Sequence, residues 1–420
     1  MKHTHTVVCA ATFVLLAASV ASAAEEDRFV APFLSVSEEY TDNVFDTKDN
    51  RRTDYISRVR PGLTSKYQSS RMQWEAAYNL DYRYYARKSK TNDISHDAGL
   101  KSTITLLENF FYLDLADTYK RVSLSVLRDD TAASPFANQT EQNIATVNPW
   151  LQWRPGEKTT VKTGYRYNDI RYWDSAGINK YAHSGYADAI YEMTSKFNLL
   201  ANYTYTNQKS ADNQRFDKHD ASGGFKYTYA EKSYVYGNGG YTWQFFKDMG
   251  ASRYLFWSAG VVHDFSLFIA TLETKRQNTE DPLSTSSRET SYVAKLDRAF
   301  ERGSIGVSGG YTEYEYNSRQ ATISAGGNKH KTFVGVNGRY EILDGVTVNA
   351  SATGEKYHYA VATADDYPYR LALGAGLTWQ MLKELALNLS YSRVANQYHV
   401  DNNAGGWYTN RAIVELKLVF

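Results

Sequence analysis

The sequence contains one motif that is typical of a covalent catalyst, the pattern G-x-S-x-G at residues 306–310. A serine hydrolase needs this motif on a sharp turn between a strand and a helix, where the serine is exposed. Here the motif lies inside SIGVSGGYTEYEY, in which Ile305, Val307 and Tyr311 share one face of a strand. Small residues in a crowded strand explain the motif better than a nucleophile does, so we predict that the protein is not an enzyme.

Metal chemistry is not expected either. The histidines are scattered over separate segments, whereas a zinc site needs a close set of ligands with supporting partners. Acidic pairs such as Asp129-Asp130 and Asp365-Asp366 lie in polar stretches and match no calcium-loop pattern. Solvated loop carboxylates are the simpler interpretation, and no metal or other cofactor is predicted.

A larger set of charged and aromatic side chains follows a period of two. In RMQWEAAYNLDYRYYAR, for example, Trp74, Tyr78 and Leu80 alternate with polar residues. Successive side chains of a strand point to opposite faces, so such segments are apolar on one face and charged on the other. That division suits a wall between lipid and a water-filled lumen. By this parity the lumen-facing candidates are Glu75, Asp81, Arg83, Tyr85, Asp114, Lys120, Lys162, Arg166, Arg411, Glu415 and Lys417.

Two interpretations of this lumen-facing set stay open. Opposite charges on neighbouring strands would pair simply because a lumen between charged strands must be filled. Alternatively, the charged groups together with Tyr85, Tyr112 and Tyr236 form a polar and aromatic track for sugars, since a tyrosine ring offers both an apolar face and a hydroxyl group.

The strands that would position these residues are long and amphipathic. The run that begins at Met72 alternates over about twice the usual length of a strand in a soluble sandwich, as expected for a strand tilted across a bilayer. The chain closes on WYTNRAIVELKLVF, with apolar residues at every second position back from Phe420. This ending resembles the C-terminal strand signal of bacterial outer-membrane barrels, which the assembly machinery of that membrane recognises.

The first residues and the composition agree with export to that membrane. Lys2, the uncharged apolar run 7–20 and Ala21-Ser22-Ala23 predict a signal peptide that is cleaved after Ala23, which would remove the only cysteine, Cys9. The 35 Tyr and 8 Trp residues suit aromatic girdles at the lipid boundaries. The net charge of +1, from 47 basic and 46 acidic residues, favours no nucleic-acid partner.

Short polar turns divide the chain into hairpins. They are predicted at nine places, near residues 69, 108, 155, 194, 231, 265, 301, 343 and 382, and longer polar segments, among them NQKSADNQRFD and NTEDPLSTSS, lie between them. Short turns at one end and long loops at the other are typical of an outer-membrane barrel with both termini in the periplasm. We predict an all-β fold, a single antiparallel barrel over residues 24–420 with about twenty strands, or eighteen as the alternative. The hairpins share no evident motif.

The first hairpin carries a more specific signal, in Tyr40-Thr41-Asp42-Asn43, Asp54-Tyr55-Ile56 and Arg60-Pro61-Gly62-Leu63. Over about residues 30–90 it resembles the family of outer-membrane β-barrel porins found with exopolysaccharide biosynthesis and PEP-CTERM/exosortase systems. The resemblance implies a barrel that lets a secreted polysaccharide cross the outer membrane, and it implies no catalytic residues. Locally, the Pro61-Gly62 pair is interpreted as a bend or bulge in the second strand.

The leading functional hypothesis is therefore passage of an exopolysaccharide across the outer membrane without covalent chemistry. The alternatives are a general diffusion porin for small solutes and a structural or adhesive barrel that acts through its loops. The segment 122–142 is the predicted constriction or plug, because Leu124, Val126, Leu127 and Phe136 give it something to bury. The expected partners are outer-membrane lipid, the barrel-assembly machinery, a polysaccharide and periplasmic export components.

Overall fold

The structure is a computed structural model that describes residues 27–124, 139–174, 176–247, 250–284, 286–316, 329–358, 368–397 and 406–420. Within these ranges the chain forms twenty strands of 11 to 18 residues. They are β1 Asp27–Thr41, β2 Asp54–Gln68, β3 Met72–Tyr85, β4 Asp93–Leu107, β5 Phe111–Ser123, β6 Gln139–Gly156, β7 Thr159–Tyr172, β8 Lys180–Thr194, β9 Phe197–Ser210, β10 Arg215–Ala230, β11 Ser233–Phe246, β12 Gly250–Asp264, β13 Ile269–Thr279, β14 Ser287–Phe300, β15 Gly303–Tyr316, β16 Lys329–Leu343, β17 Val346–His358, β18 Tyr369–Gln380, β19 Leu385–Gln397 and β20 Trp407–Val419.

The strands close into one antiparallel barrel. Each strand pairs with the strands before and after it, and β1 also pairs with β20, from Phe33 opposite Val419 to Thr41 opposite Arg411. Twenty strands match the main prediction and not the alternative of eighteen. The closing contact includes Ser35, which is opposite Lys417. No helix in the described part of the chain is long and apolar enough to span a membrane.

The predicted turns are confirmed at all nine places. Each of them connects an even-numbered strand to the next odd-numbered one, from 69–71 between β2 and β3 to 381–384 between β18 and β19. Several need a left-handed backbone, with φ values of 59° at Asn109, 56° at Lys232 and 79° at Gly345. These residue types favour that conformation or occupy tight hairpin turns that require it. We call this the turn end of the barrel and the opposite end the loop end.

At the loop end, two strands extend further than the sequence predicted. The segment NQKSADNQRFD was predicted as a loop, yet β9 continues to Ser210 and β10 begins at Arg215, so only residues 211–214 connect them. Polar side chains on both faces keep the ladder paired beyond the apolar zone, which a hydrophobicity pattern alone does not predict. Residues 125–138 of the predicted plug, and the acidic pairs at Asp129 and Asp365, lie outside the described residues.

The Pro61-Gly62 pair does not form the bulge that its residue types suggested. The register of β2 with β3 is the same on both sides of the pair, with Val59 opposite Tyr82 and Gly62 opposite Asn79. Proline only interrupts the pairing locally, because it lacks the N–H donor. Gly62 instead makes room for the ring of Phe33, which occupies the place where a side chain at residue 62 would begin.

The two faces of the barrel wall differ in composition. One face, here the apolar face, exposes large side chains on strands around the whole barrel, including Val36, Leu199, Leu272, Val334 and Leu416. The other, here the polar face, buries Ser35, Ser37, Glu39 and Thr41 on β1 alone. A barrel in a lipid bilayer turns its apolar face outward, so the polar face encloses the lumen.

Candidate functional site on the polar face

The register places all eleven sequence-predicted candidates on the polar face. On β20, Glu415 is opposite Ser37 of β1, which is in turn opposite Arg58 of β2. Arg58 is opposite Arg83 of β3, so the candidates on β3 lie on the same face. The pairings from β3 to β8 place the remaining candidates on that face as well. The structure then divides them into two clusters and a few separate positions.

The first cluster joins β20, β1, β2 and β3 where the barrel closes. Arg58 lies between two carboxylates, with its Nη1 atom 3.2 Å from Oε2 of Glu39 and its Nη2 atom 2.6 Å from Oδ2 of Asp81. Arg83 Nη2 lies 2.7 Å from the same Asp81 oxygen, and Arg411 Nε lies 3.0 Å from Oε1 of Glu39. The Glu39 side chain is only 3% exposed, so it links both sides of the seam inside the wall.

A second ion pair extends this closure cluster towards the turn end. Arg60 contacts the Glu415 carboxylate, which also accepts a hydrogen bond from the Ser35 hydroxyl. Together the two groups contain four guanidinium groups and three carboxylates. Their charges are therefore nearly balanced, with one excess positive charge, and much of the sequence-predicted set is held in place as a structural network.

The second cluster lies on β5–β8 and combines charge with aromatic rings. Asp114 accepts hydrogen bonds from Trp150 Nε1 at 2.8 Å and from Thr103 Oγ1 at 2.9 Å. The Trp150 ring stacks on Tyr112, with 4.1 Å between the ring centroids and 13° between the planes. Lys162 Nζ lies 4.4 Å from the Trp150 ring centroid, a cation–π contact. Asp114 and Lys162 thus hold the Trp150 ring, which in turn stacks on Tyr112.

Aromatic rings on the polar face also lie over glycines of the adjacent strand. A Cβ atom on Gly164 would be 2.5 Å from the Tyr186 ring, and one on Gly260 would be 2.7 Å from the ring of Tyr236. Only glycine leaves the space for such a ring. Arg166 lies 5.1 Å from the Tyr186 ring centroid.

The remaining candidates occupy separate positions. Glu75 forms an ion pair with Lys66 at 3.1 Å near the turn end, where the two side chains are 68% and 65% exposed. Lys417 lies 4.6 Å from the ring centroid of Phe33, and Lys120 is exposed. Tyr85 was predicted as part of a sugar track, but it is 1% exposed and packs with Val44 and Ile56. It stabilises the loop end and offers no ring face to a ligand.

One feature of the polar face was not expected from the sequence. Residues 280–284 and 286, here the crossing segment, lie beyond the end of β13 and contact β7, β8 and the turn between them, although β9–β12 separate these strands in the wall. Lys180 Nζ donates hydrogen bonds to Glu280 Oε1 at 2.6 Å and to the backbone oxygen of Asp281 at 2.7 Å. The Tyr172 hydroxyl donates to Glu280 at 2.7 Å, and the Ile178 N–H donates to the Pro282 oxygen at 2.7 Å.

The far side of the crossing segment is anchored as well, since Gln244 Nε2 of β11 donates to Ser286 Oγ at 3.3 Å. Asp281 is almost fully buried, and this burial raises the pKa of its carboxyl group from 3.8 to about 6. The neighbouring charges are Lys180 and Lys329, which favour the ionised form, and Glu280, which opposes it. The segment is therefore a buried, polar attachment across the loop end of the lumen.

Sequence reasoning missed this segment because its apolar content is low. NTEDPLSTSS was recognised only as a polar connection, and the plug was assigned to residues 122–142 for their apolar side chains. One signal in the sequence could have indicated it. Lys180 lies at the start of β8, and the alternation of that strand turns its side chain to the lumen. Among the described residues, no three His, Cys, Asp or Glu side chains are grouped so that they could hold a metal ion.

Comparison with known proteins establishes the fold and nothing finer. No family model matches the chain, and no curated protein is similar to it in sequence. The FrpB iron transporter of Neisseria meningitidis (F5-1 variant, apoprotein) is similar in structure, with a TM-score of 0.56 and 9% identity over 93% of this chain and 81% of that chain. The siderophore receptor PirA of Pseudomonas aeruginosa gives 0.51 and 7% over 94% and 81%. The copper transporter OprC gives 0.51 and 9% over the same shares. The chain has the fold of outer-membrane transport barrels.

Proposed function

We propose that this protein is an outer-membrane channel through which an exopolysaccharide leaves the cell. The turn end and both termini lie in the periplasm, and the loop end faces the outside. The barrel acts by passage alone and catalyses no reaction. Barrels of sixteen to eighteen strands already leave an aqueous channel, so twenty strands leave room for a hydrated polymer.

The observation that carries the proposal is the pairing of flat aromatic rings with charged groups on the polar face. Tyr112, Trp150 and Tyr186 are partly exposed rings that lie beside Lys162 and Arg166. Sugar rings have apolar faces edged by hydroxyl groups, and they suit a wall that alternates aromatic faces with hydrogen-bonding groups. Lys120 and Arg166 are exposed, which leaves charged donors available to an acidic polymer.

The crossing segment supplies the constriction in this proposal. It narrows the loop end of the lumen, and its attachment lies in the described part of the chain, whereas residues 125–138 of the segment 122–142 do not. A polymer chain would displace it as it passes, because its anchors are hydrogen bonds and one ion pair rather than a hydrophobic core. Selectivity then depends on the crossing segment and on the charged groups beneath it.

Assembly and partners complete the proposal. The chain would be exported through cleavage after Ala23, and Phe420 would be recognised by the barrel-assembly machinery. Periplasmic export components would deliver the polymer at the turn end, and outer-membrane lipid would surround the apolar face. No nucleic acid takes part.

The proposal is tested by a gene deletion in cells and by release from lipid vesicles. Deletion of the gene should abolish the surface polymer while uptake of small solutes stays unchanged, and the wild-type protein should restore the polymer. In proteoliposomes the purified barrel should release an encapsulated fluorescent linear dextran, whereas a variant with Trp150→Ala and Tyr186→Ala should release it more slowly at equal protein content. Loss of small-solute uptake with normal surface polymer would instead identify a general diffusion porin. Normal polymer and uptake together with lost cell adhesion would identify an adhesive barrel.

A further inference from the structure

The apolar face of β7–β10 changes character in successive cross-strand rows. The register defines each row, because side chains opposite one another on neighbouring strands lie on the same face. Towards the turn end, one row contains only small apolar residues and glycine, namely Val161, Ala189, Ala201 and Gly223. Towards the loop end, the rows first gain tyrosine and histidine and then end in a charged row, namely Asp169, Tyr181, Lys209 and Arg215. The tyrosine and histidine rows mark the boundary of the lipid-facing zone at the loop end.

Two Tyr–His pairs with the same geometry lie on this boundary. The Tyr165 hydroxyl is 2.6 Å from Nδ1 of His183, and the Tyr203 hydroxyl is 2.8 Å from Nδ1 of His219. In both pairs the histidine sits two residues nearer the loop end than the residue directly opposite the tyrosine. A hydroxyl that donates to Nδ1 fixes the proton of the neutral imidazole on Nε2. In this tautomer each ring has its Nε2–H donor on the side away from its tyrosine.

The charged row adds an electrostatic reason for a ligand. Lys209 and Arg215 are directly opposite each other on β9 and β10, and like charges in that position destabilise a strand pair. Lys209 Nζ lies 5.7 Å from the Tyr181 ring centroid, which holds it on this face. Asp217 is nearby, but its carboxylate already accepts hydrogen bonds from the Tyr205 hydroxyl at 2.8 Å and from Asn207 at 2.6 Å.

We propose that this surface binds the phosphate group of a phosphorylated lipid in the outer leaflet. The imidazole–cation patch consists of His183, His219, Lys209 and Arg215. A phosphate between the two cations would relieve their repulsion and accept hydrogen bonds from the Nε2–H groups, while the acyl chains would lie along the small apolar rows below. The position at the end of the apolar zone selects a lipid rather than a soluble phosphate. The inference rests on the proposed outer-membrane location and is independent of the polymer.

The test measures lipid binding by the whole barrel in phosphatidylcholine nanodiscs. The probes are a diphosphorylated lipid A and the same lipid after enzymatic removal of its phosphates. The wild-type barrel should bind the phosphorylated lipid roughly tenfold more tightly, as expected for one or two charge-assisted hydrogen bonds. The variants H183Q/H219Q and K209Q/R215Q should each lose most of that preference. Inorganic phosphate at the same concentration should not displace the lipid.

Two control variants match these changes at the turn end of the apolar face. His263 also accepts or donates a hydrogen bond with a tyrosine, 2.9 Å from the Tyr229 hydroxyl, and Arg298 is a cation on the same face. H263Q and R298Q should keep the full preference. Equal affinity of the wild-type barrel for the two lipids, equal losses in the controls, or displacement by inorganic phosphate would overturn the proposal. Heat-modifiable migration in gels verifies that every variant is folded, and an unchanged dextran release separates this result from the polymer hypothesis.

Discussion

Lys180 and Glu280 form an ion pair of 2.6 Å between β8 and the crossing segment, although four strands of the wall separate β8 from β13. The Lys180 side chain is only 3% exposed, whereas Glu280 keeps partial contact with water. The pair therefore joins two distant parts of the barrel across the lumenal side of the loop end. It is the contact on which the proposed constriction depends most directly.

Loss of this ion pair should open the constriction. Lys180→Met removes the charge and both hydrogen bonds to the crossing segment, which should weaken its attachment by about 1–3 kcal/mol, between the values for exposed and buried pairs. Single-channel recordings in planar bilayers should show a larger and noisier conductance. The matched control is Lys275→Met, which breaks a 3.1 Å pair with Glu289 between neighbouring strands of the polar face. Equal conductance of Lys180→Met and the wild type would refute the constriction.

The attachment should also depend on pH through Asp281. Burial raises the pKa of this carboxyl group from 3.8 to about 6, so the attached segment favours the protonated form. The resulting stabilisation is complete below pH 3.8, is lost as the pH rises through about 6, and is absent at pH 7. Opening events should accordingly become more frequent between pH 4 and pH 7, a window that spans these two values.

Asp281→Asn provides the control for that pH dependence. The amide has nearly the same shape and carries no charge at any pH, so the variant should open rarely throughout the range. Lys180, Glu280 and Lys329 also face Asp281, and they are unchanged in this variant. A wild-type profile that persists in Asp281→Asn would assign the titration to another group.

The aromatic track should slow a sugar polymer in the lumen. Trp150→Ala removes the ring that stacks on Tyr112 and contacts Lys162, so current blockades by linear dextran should shorten roughly two- to twelvefold, as expected for an aromatic contact of about 0.5–1.5 kcal/mol. Trp150→Phe should retain most of the effect, because it keeps a ring while losing only the hydrogen bond to Asp114. Trp153→Ala, on the same strand but on the apolar face, should leave the blockades unchanged. Equal shortening in both alanine variants would argue against a lumenal track.

The buried ion pairs of the closure cluster should stabilise the barrel more than the exposed Lys66–Glu75 pair does. Glu39→Gln removes the carboxylate that serves Arg58 and Arg411, and it leaves buried positive charge at the seam. We expect a loss of about 3–5 kcal/mol in the free energy of unfolding, as for one partner of a buried ion pair. Glu75→Gln breaks an exposed pair and should cost less than about 1 kcal/mol. Denaturant titrations in lipid vesicles, followed by tryptophan fluorescence, would measure the free energy of unfolding of both variants. Similar losses in the two variants would show that the closure cluster stabilises the barrel no more than an exposed ion pair does.

Much of the fold follows from patterns that act over a few residues. The period of two in β3 and β20, the turn residues at Asn109 and Gly345, and the polar segments between hairpins predict the strands, their faces and their antiparallel order. The alternation along each strand predicted the face of all eleven candidates correctly, because a side chain on a strand can point to only two faces. The Tyr–His pairs were not recognised, although His-Asp-Ala recurs at residues 96–98 and 219–221 and starts at a paired histidine in both places.

The sequence by itself determined that this chain forms an amphipathic barrel with a charged face, because alternation is a local property of each strand. Only the tertiary structure decided which charges meet. Tyr85 is buried and does not line the lumen, because Val44, in the loop between β1 and β2, and Ile56 of β2 pack against it. Asp81, Arg83 and Arg411 became one network because the last strand closes on the first. Glu280 met Lys180 because the curvature of the wall brings the crossing segment to a strand about a hundred residues earlier, a separation over which no local pattern carries information.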